Sequence, residues 1–396
     1  MIHYFNPGHE TAVLNNSPNY RPPAQQIKMQ QDLSFLPAWY AESDDYIWTD
    51  TPLTFDFLKS ISGFSNISHN TLSINELHAK KQVLQHETID FWGLSPASIH
   101  YFNNLNQKFD FQWNISQWKN IYRELSSRWS SHSVLKELIE AIPDIDASLL
   151  PVRCEDLQSI EQKILQSLEN QLLKSPYSSS GRGLLWLLQK PLARSERQII
   201  QGMLKKQSAV SLERALNKCI DFSMQFEINE LATKFIGYSL FLTDTKGRYK
   251  GSVITDQNDI QETLFKYIDK QLIFSVKQKL TELLHRQYSL HYQGILGVDM
   301  MIYSADRQYR MHPCVEINMR KTMGYLAIML YNKLYNKQLH KNNKAFLQID
   351  YFTDPHRVWQ QHQNLLHTDE HYLPLCPIKN DSRYHAYIGT MTTSNL

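Results

Sequence analysis

Cysteine is scarce, and no sign of charge dominates. Cys154, Cys219, Cys314 and Cys376 are the 4 cysteines of a 396-residue chain, and no two of them form a Cys-x-x-Cys pair. That scatter excludes a zinc ribbon and a disulfide-stapled scaffold, and it fits a reducing compartment. Lys and Arg number 41 against 39 Asp and Glu, a formal net charge of +2. So even a balance lacks the basic excess with which dedicated nucleic-acid binders hold phosphates, although it leaves room for a local cationic site. Long apolar runs are missing too. Leu184 to Leu188 and Tyr325 to Tyr331 fall far short of the ~20 residues that span a bilayer. The opening Met-Ile-His-Tyr-Phe-Asn-Pro has no cationic segment leading into an apolar one. The expectation is a soluble cytoplasmic protein that engages neither membrane nor nucleic acid. What is present is a globular mixture, 42% hydrophobic and 20% charged, long enough for two or three domains of ~150 residues.

The patterning predicts a mixed α/β chain. Ile2 to Phe5 and Tyr46 to Trp48 read as short strands, the first running into the turn former Asn6-Pro7-Gly8. Between residues 60 and 120 periodicity is too weak to place elements. Trp113 to Ile142 is mostly helical in pattern and must stop at Pro143. Leu157, Ile160, Ile164 and Leu168 recur at helical spacing. Gln171 to Lys174 reads as a strand entering a Ser/Gly loop, Ser175 to Gly183, and Leu184 to Leu188 as a buried strand. Ser195 and Gln198 have the spacing of a capping box opening a helix to about Lys206. Ile220, Phe222, Met224, Phe226 and Ile228 alternate with polar residues, the mark of a half-buried strand. A hairpin follows from Phe235 to Ile254. Leu264, Ile268, Leu272, Val276, Leu280 and Leu283 mark one long amphipathic helix. Gly297 to Tyr303 and Tyr309 to Asn318 form a second hairpin, and Ala345 to Phe352 and Tyr384 to Ile388 are late strands.

Three constellations carry chemistry. Counting outward from the turn near Asp306, Asp299 falls opposite the stretch Cys314 to Glu316, and His312, Cys314, Glu316 and Asn318 share one face by the period of two. Asp299, Glu316 and Asn318 therefore converge as hard oxygen donors, the set that suits Mg²⁺ on nucleotide phosphates. Arg320 has the same parity, just past the strand, where a cation meets a phosphate. An ordinary salt-bridged polar sheet face fits the same residues. Lys174 followed by a Ser/Gly loop combines a point charge with backbone N–H groups suited to phosphates, and a plain hairpin connection is its competitor. Val210 to Leu216 reads as a linker or as a backbone stretch that holds a flat base.

The order of these features resembles the ATP-grasp superfamily over residues 130 to 330. Leu172-Leu173-Lys174-Ser175-Pro176 through Gly183 is similar to its lysine and phosphate loop, Leu212 to Leu216 to its adenine hinge, and Gly297 to Met301 with Val315 to Arg320 to its two metal-bearing strands. The resemblance implies an α/β (α+β) fold of two subdomains clasping ATP, with a Rossmann-like domain ahead of them. Its boundaries are 1–125 for the Rossmann-like domain, 126–211 for the small subdomain and 212–396 for the large one. It implies that Lys174 contacts the α/β-phosphates, that Ser179, Ser180, Gly181 and Gly183 cover the β/γ-phosphates, and that Glu213 and Leu216 flank the adenine. Asp221 reaches the ribose. Asp299, Glu316 and Asn318 hold one or two Mg²⁺, and Arg320 acts on the transferred phosphoryl group. Two departures stand out. Where the family carries an earlier lysine, this chain has Arg128-Trp129-Ser130-Ser131-His132, so Arg128 or His132 substitutes for it or the contact is absent. The family's Asn-Pro-Arg is here Asn318-Met319-Arg320.

The implied activity is a Mg-ATP-dependent ligase joining a small-molecule carboxylate to an amine through an acyl phosphate. A phosphotransferase on the same site differs in using a hydroxyl acceptor, and a non-catalytic nucleotide-binding module differs in lacking turnover. A homodimer is the family's common state. The acceptor is expected near the loop Asn6-Pro7-Gly8-His9-Glu10 if the first domain is Rossmann-like, because ligands bind at the carboxyl ends of such strands. A simple strand-ending turn is the alternative for that loop. His312 is the histidine on the metal face, a candidate general base or a structural residue.

Overall fold

The computed structural model describes residues 1–64, 66–178, 181, 183–245, 247–335 and 345–391. The chain forms two compact units. The first is built from Met1–Lys119, Lys250–Asp256 and Arg320–Leu396, the second from Asn120–Tyr249 and Gln257–Met319. The stretch after residue 319 thus packs with the N-terminal third, whereas the 212–396 boundary expected from the sequence assigns it to the large subdomain.

In the first unit, β1 (Ile2–Tyr4), β2 (Tyr46–Trp48), β3 (Asn70–Leu72) and β4 (Ile89–Phe91) form a parallel sheet in the order β3-β2-β1-β4. Parallel strands are covered on both faces. Ile2, Ile47, Leu72 and Ile89 are accordingly buried among aromatic side chains such as Phe102 and Trp113 on one side, and Phe35 and Trp39 on the other. Strands of three residues are too short to show a period, which is why residues 60 to 120 read as patternless. The helix Pro96–Phe109 starts on a Ser95 cap, whose hydroxyl accepts from the Ser98 N–H.

The second unit begins with the helix Arg128–Ala141 and a small antiparallel sheet. That sheet contains β5 (Val152–Cys154), β6 (Gln171–Lys174), β7 (Leu184–Leu187) and β8 (Val210–Arg214), in the order β5-β8-β6-β7. Its core is Ile160, Ile164, Leu173, Leu187, Ile200 and Leu212. Val210–Arg214 is therefore a central strand and not a linker. The helix Arg194–Gln207 starts one residue before the expected cap, and the Glu196 carboxylate accepts from the Ala193 N–H.

The chain continues through β9 (Asn217–Ile228), β10 (Thr233–Thr243), β11 (Tyr249–Ile254), β12 (Gly294–Ala305), β13 (Gln308–Asn318), β14 (Ala345–Tyr351), β15 (Leu373–Pro374) and β16 (Tyr384–Thr390). Within the second unit β13, β12, β9 and β10 pair antiparallel in that order. Within the first, β14 pairs with β11 and β16, and β15 closes on β16. Strand β9 alternates as expected, but its polar face is covered as well, because Ser223 and Gln225 are buried. The expected long helix is two helices, Gln257–Phe265 and Lys270–Tyr288. Asp269 caps the second by accepting from the N–H groups of Gln271 and Leu272. Among the described residues no helix is long and apolar enough to cross a membrane.

Candidate functional site

In the second unit the register of two ladders places the chemistry. In the β6–β8 ladder Lys174 lies opposite Ser211 and Leu172 opposite Glu213. Lys174 and Glu213 are then diagonal neighbours on one face, and Lys174 Nζ stands 2.5 Å from Glu213 Oε2, with both side chains less than 10% exposed. Ser211 Oγ donates to Glu213 Oε1 at 2.8 Å and lies 3.1 Å from His132 Nε2. Burial works against ionisation of Glu213, but Lys174 and then Arg128 outweigh it and hold the carboxyl down at about 2.

In the β12–β13 ladder Asp299 lies directly opposite Glu316, and Gly297 opposite Asn318. Asn318 Nδ2 donates to Asp299 Oδ2 at 2.9 Å. The three oxygen-bearing side chains expected from the sequence are therefore assembled, two carboxylates and a carboxamide. Among the described residues no group of three or more His, Cys, Asp or Glu is arranged around a metal position, so the donor set here has two acidic members and the amide. The ladder is irregular between Asp299 and Met301. Cys314 lies within that irregularity, and burial, with Asp299 and Glu316 adding to it, pushes its thiol well above the usual range.

Arg128 joins the two groups. Its Nη2 donates to Glu316 Oε1 at 3.1 Å, its Nε to the Ser175 carbonyl at 3.3 Å and its Nη1 to the Val315 carbonyl at 3.4 Å. It is one of the two residues offered by the resemblance in place of an earlier lysine, and its partner Glu316 is 188 residues away. His132, one turn further along the same helix, lies against Ser211. Burial pushes His132 down to about 4 and His312 down to about 3, and Lys174 acts on both in the same direction. His312 is thus a buried, neutral and weakly basic imidazole, poorly suited to the general-base role that its place on the strand suggests. Ser131 Oγ accepts from the Ile317 N–H at 2.8 Å and pins the helix Arg128–Ala141 to β13. No sequence motif marks that contact.

The remaining expected residues are dispersed. Ser179 and Ser180 lie outside the described residues. Gly181 and Gly183 adopt φ of +71° and +74°, conformations that favour glycine, and Gly183 O accepts from Ser175 N at 2.9 Å, closing the base of the loop. Leu216 is half-buried between β8 and β9. Asp221 on β9 accepts from Lys218 and Thr243. Arg320 belongs to the first unit, where its Nε donates to Glu10 Oε1 at 2.6 Å. Burial opposes ionisation of Glu10, but Arg320 and His9 hold its carboxyl well below the usual range. Next to it, Lys321 Nζ stands 2.6 Å from Asp90 Oδ1, and Asp90 Oδ2 is 2.6 Å from His3 Nδ1.

No family model matches the chain, and neither does any curated protein. Solved structures do. N5-carboxyaminoimidazole synthetase from Staphylococcus aureus, complexed with ADP, is 13% identical, with 100% of this chain and 93% of that one aligned at a TM-score of 0.52. The ADP complex of purK, an N5-carboxyaminoimidazole ribonucleotide synthetase, is 11% identical, with 98% and 91% aligned at a TM-score of 0.50. The chain has the fold of these enzymes, the ATP-grasp fold.

Proposed function

We propose that this chain is a Mg-ATP-dependent ligase that joins a small-molecule carboxylate to an amine through an acyl phosphate. The observation that carries the reading is the ladder that sets Asp299 opposite Glu316 with Asn318 hydrogen-bonded to Asp299. Two carboxylates and an amide are hard oxygen donors that fit Mg²⁺, Arg128 supplies buried positive charge on Glu316, and Lys174 supplies it on Glu213. Asp299, Glu316 and Asn318 would hold Mg²⁺, which would supply charge neutralisation for phosphoryl oxygens. The two similar structures are ADP complexes of synthetases, which supports a nucleotide in this fold.

Phosphoryl transfer asks a protein for positioning and charge stabilisation more than for covalent chemistry. Lys174 is the cation for the α/β-phosphates, and Glu213 fixes its ammonium in place. Glu213 and Leu216 flank the adenine, and Asp221 takes the ribose. Ser179, Ser180, Gly181 and Gly183 cover the β/γ-phosphates and exclude water, which protects an acyl phosphate from hydrolysis. Arg320, two residues beyond Asn318, acts on the transferred phosphoryl group.

The test is phosphate release from Mg-ATP across a panel of carboxylates, with hydroxylamine as a general amine trap. A carboxylate that gives both ADP and a hydroxamate supports the ligase. ADP without hydroxamate, together with a phosphorylated hydroxyl compound, assigns the chain to phosphotransfer instead. ATP binding without turnover across the panel leaves a nucleotide-binding module and overturns the ligase.

A further inference from the structure

The loop after β1 gathers polar side chains whose hydrogen bonding is incomplete. Gly8 adopts φ +74°, and a Cβ on it would stand 2.3 Å from Gln26 Nε2, so the Gln26 carboxamide rests directly on the loop backbone. Gly93, just past β4, makes the same allowance for His9, since a Cβ there would come within 2.6 Å of His9 Cγ. These two close approaches set Gln26 against the loop at Gly8 and His9 against Gly93, beyond the carboxyl ends of β1 and β4, with Glu10 next along the chain. Their exposures are 7%, 4% and 8%.

Glu10 Oε1 is taken by Arg320. Glu10 Oε2 has no hydrogen bond and stands 3.5 Å from His9 Nδ1. Both ring nitrogens of His9 and Gln26 Oε1 are also unmet. Four of the 12 buried side-chain polar atoms without a hydrogen bond among the described residues therefore fall on three residues around one loop. An unmet buried group is costly, and such groups in native proteins are met by ordered water or by a ligand. A concentration at one place marks an occupant.

The chemistry of the atoms selects it. Ionised Glu10 and the Gln26 carbonyl only accept hydrogen bonds. His9 Nδ1 faces Glu10 Oε2 at 3.5 Å. An anion meets two oxygen acceptors here, Glu10 Oε2 and Gln26 Oε1, and is disfavoured. A primary ammonium group, with three donors and a positive charge, completes the set. We infer that His9, Glu10 and Gln26 form a subsite for the primary amine of this protein's second substrate. This identity of the occupant as a substrate rests on the ligase reading.

The test is thermal unfolding of the full chain with ethanolamine and with glycinamide, against potassium chloride and potassium acetate at matched ionic strength. At ten times its Kd an amine should lower the unfolding constant about elevenfold. Gln26→Met, which keeps length and removes the acceptor, should weaken that response by about tenfold, in line with a lost hydrogen bond to a charged group. Gln26→Glu, which adds a charged acceptor, should strengthen it. An equal response in wild type and Gln26→Met, or no amine response in wild type, overturns the subsite and leaves buried water as the occupant. Mg-ATP on the same samples separates the two readings. Stabilisation by Mg-ATP without an amine response overturns this subsite alone. An amine response without one by Mg-ATP keeps the subsite and overturns the ligase.

Discussion

Replacing Lys174 with Met isolates a buried carboxylate. In the wild type Lys174 Nζ and Glu213 Oε2 are 2.5 Å apart and almost out of water. Removing one partner of a buried pair costs about 3–5 kcal/mol, because the other is left buried and uncompensated. A domain of 150–250 residues shifts its Tm by ~2–4 °C per kcal/mol, so the loss amounts to ~6–20 °C. The pH dependence gives the cause a signature. Glu213 is held at about 2, below its ordinary 4.5. A depressed carboxyl contributes stability above its unfolded pKa and loses it as pH falls through the folded one. In Lys174→Met burial persists without the cation and the folded pKa rises. The gap between variant and wild type is then widest at neutral pH and narrows in acid, as Glu213 becomes protonated in both states. Lys174→Met/Glu213→Gln removes both charges, and it should recover most of the loss while still failing to bind ATP. Calorimetry at pH 4, 6 and 8 reads all three proteins, with Trp129 and Trp186 as fluorescent reporters in the same unit. A single variant within about 1 kcal/mol of wild type, or a double variant no more stable than the single, refutes the reasoning.

Other outcomes follow from the same geometry. Ser131→Ala leaves the buried Ile317 N–H without its acceptor and should cost about 1–3 kcal/mol in denaturant unfolding. In the first unit, burial opposes the charge on His3, but Asp45 and Asp90 outweigh it and raise its pKa. Burial likewise opposes ionisation of Asp90, while Lys321 and His3 hold it at about 2. Stability from His3 is complete below its unfolded pKa and lost as pH rises through the raised value. That from Asp90 is lost as pH falls from about 4 toward 2. His3→Gln should abolish the alkaline loss, and a pH series of melting temperatures in which it persists would contradict this. Gly93→Ala forces the His9 ring aside, because the new Cβ would lie 2.6 Å from Cγ. It should remove the response to ethanolamine and spare that to Mg-ATP.

How much of this is legible in the sequence depends on the distance over which each feature is encoded. Counting outward along one hairpin brings Asp299 opposite the stretch Cys314 to Glu316, and the irregularity between Asp299 and Met301, which no period shows, makes Glu316 the partner. Strand β9 announces itself by its alternation. Strands β3 and β4 do not, being only three residues long. Val210–Arg214, open to a linker reading when taken alone, is a central strand flanked by β5 and β6. Leu264, Ile268 and Leu272 stay in phase across the break at Asp269, so the apolar pattern hides two helices within one stripe. Arg128 on Glu316 and Glu10 on Arg320 join residues far apart along the chain, which local spacing cannot foretell. Arg128 is nonetheless flagged by its place, in the stretch where a family lysine is missing.

The most direct test of the account is equilibrium binding of radiolabelled ATP to the wild type and to Glu316→Gln, each with Mg²⁺ and with EDTA. The Gln side chain keeps an oxygen for Arg128 while removing the charge that holds the metal. The account predicts Mg-dependent binding to the wild type, at least tenfold weaker in EDTA and equally weak in the variant with or without Mg²⁺, consistent with the roughly 1.4 kcal/mol per tenfold change in Kd. Binding that ignores both Mg²⁺ and the substitution, or no binding at all, would contradict the assignment of Asp299, Glu316 and Asn318.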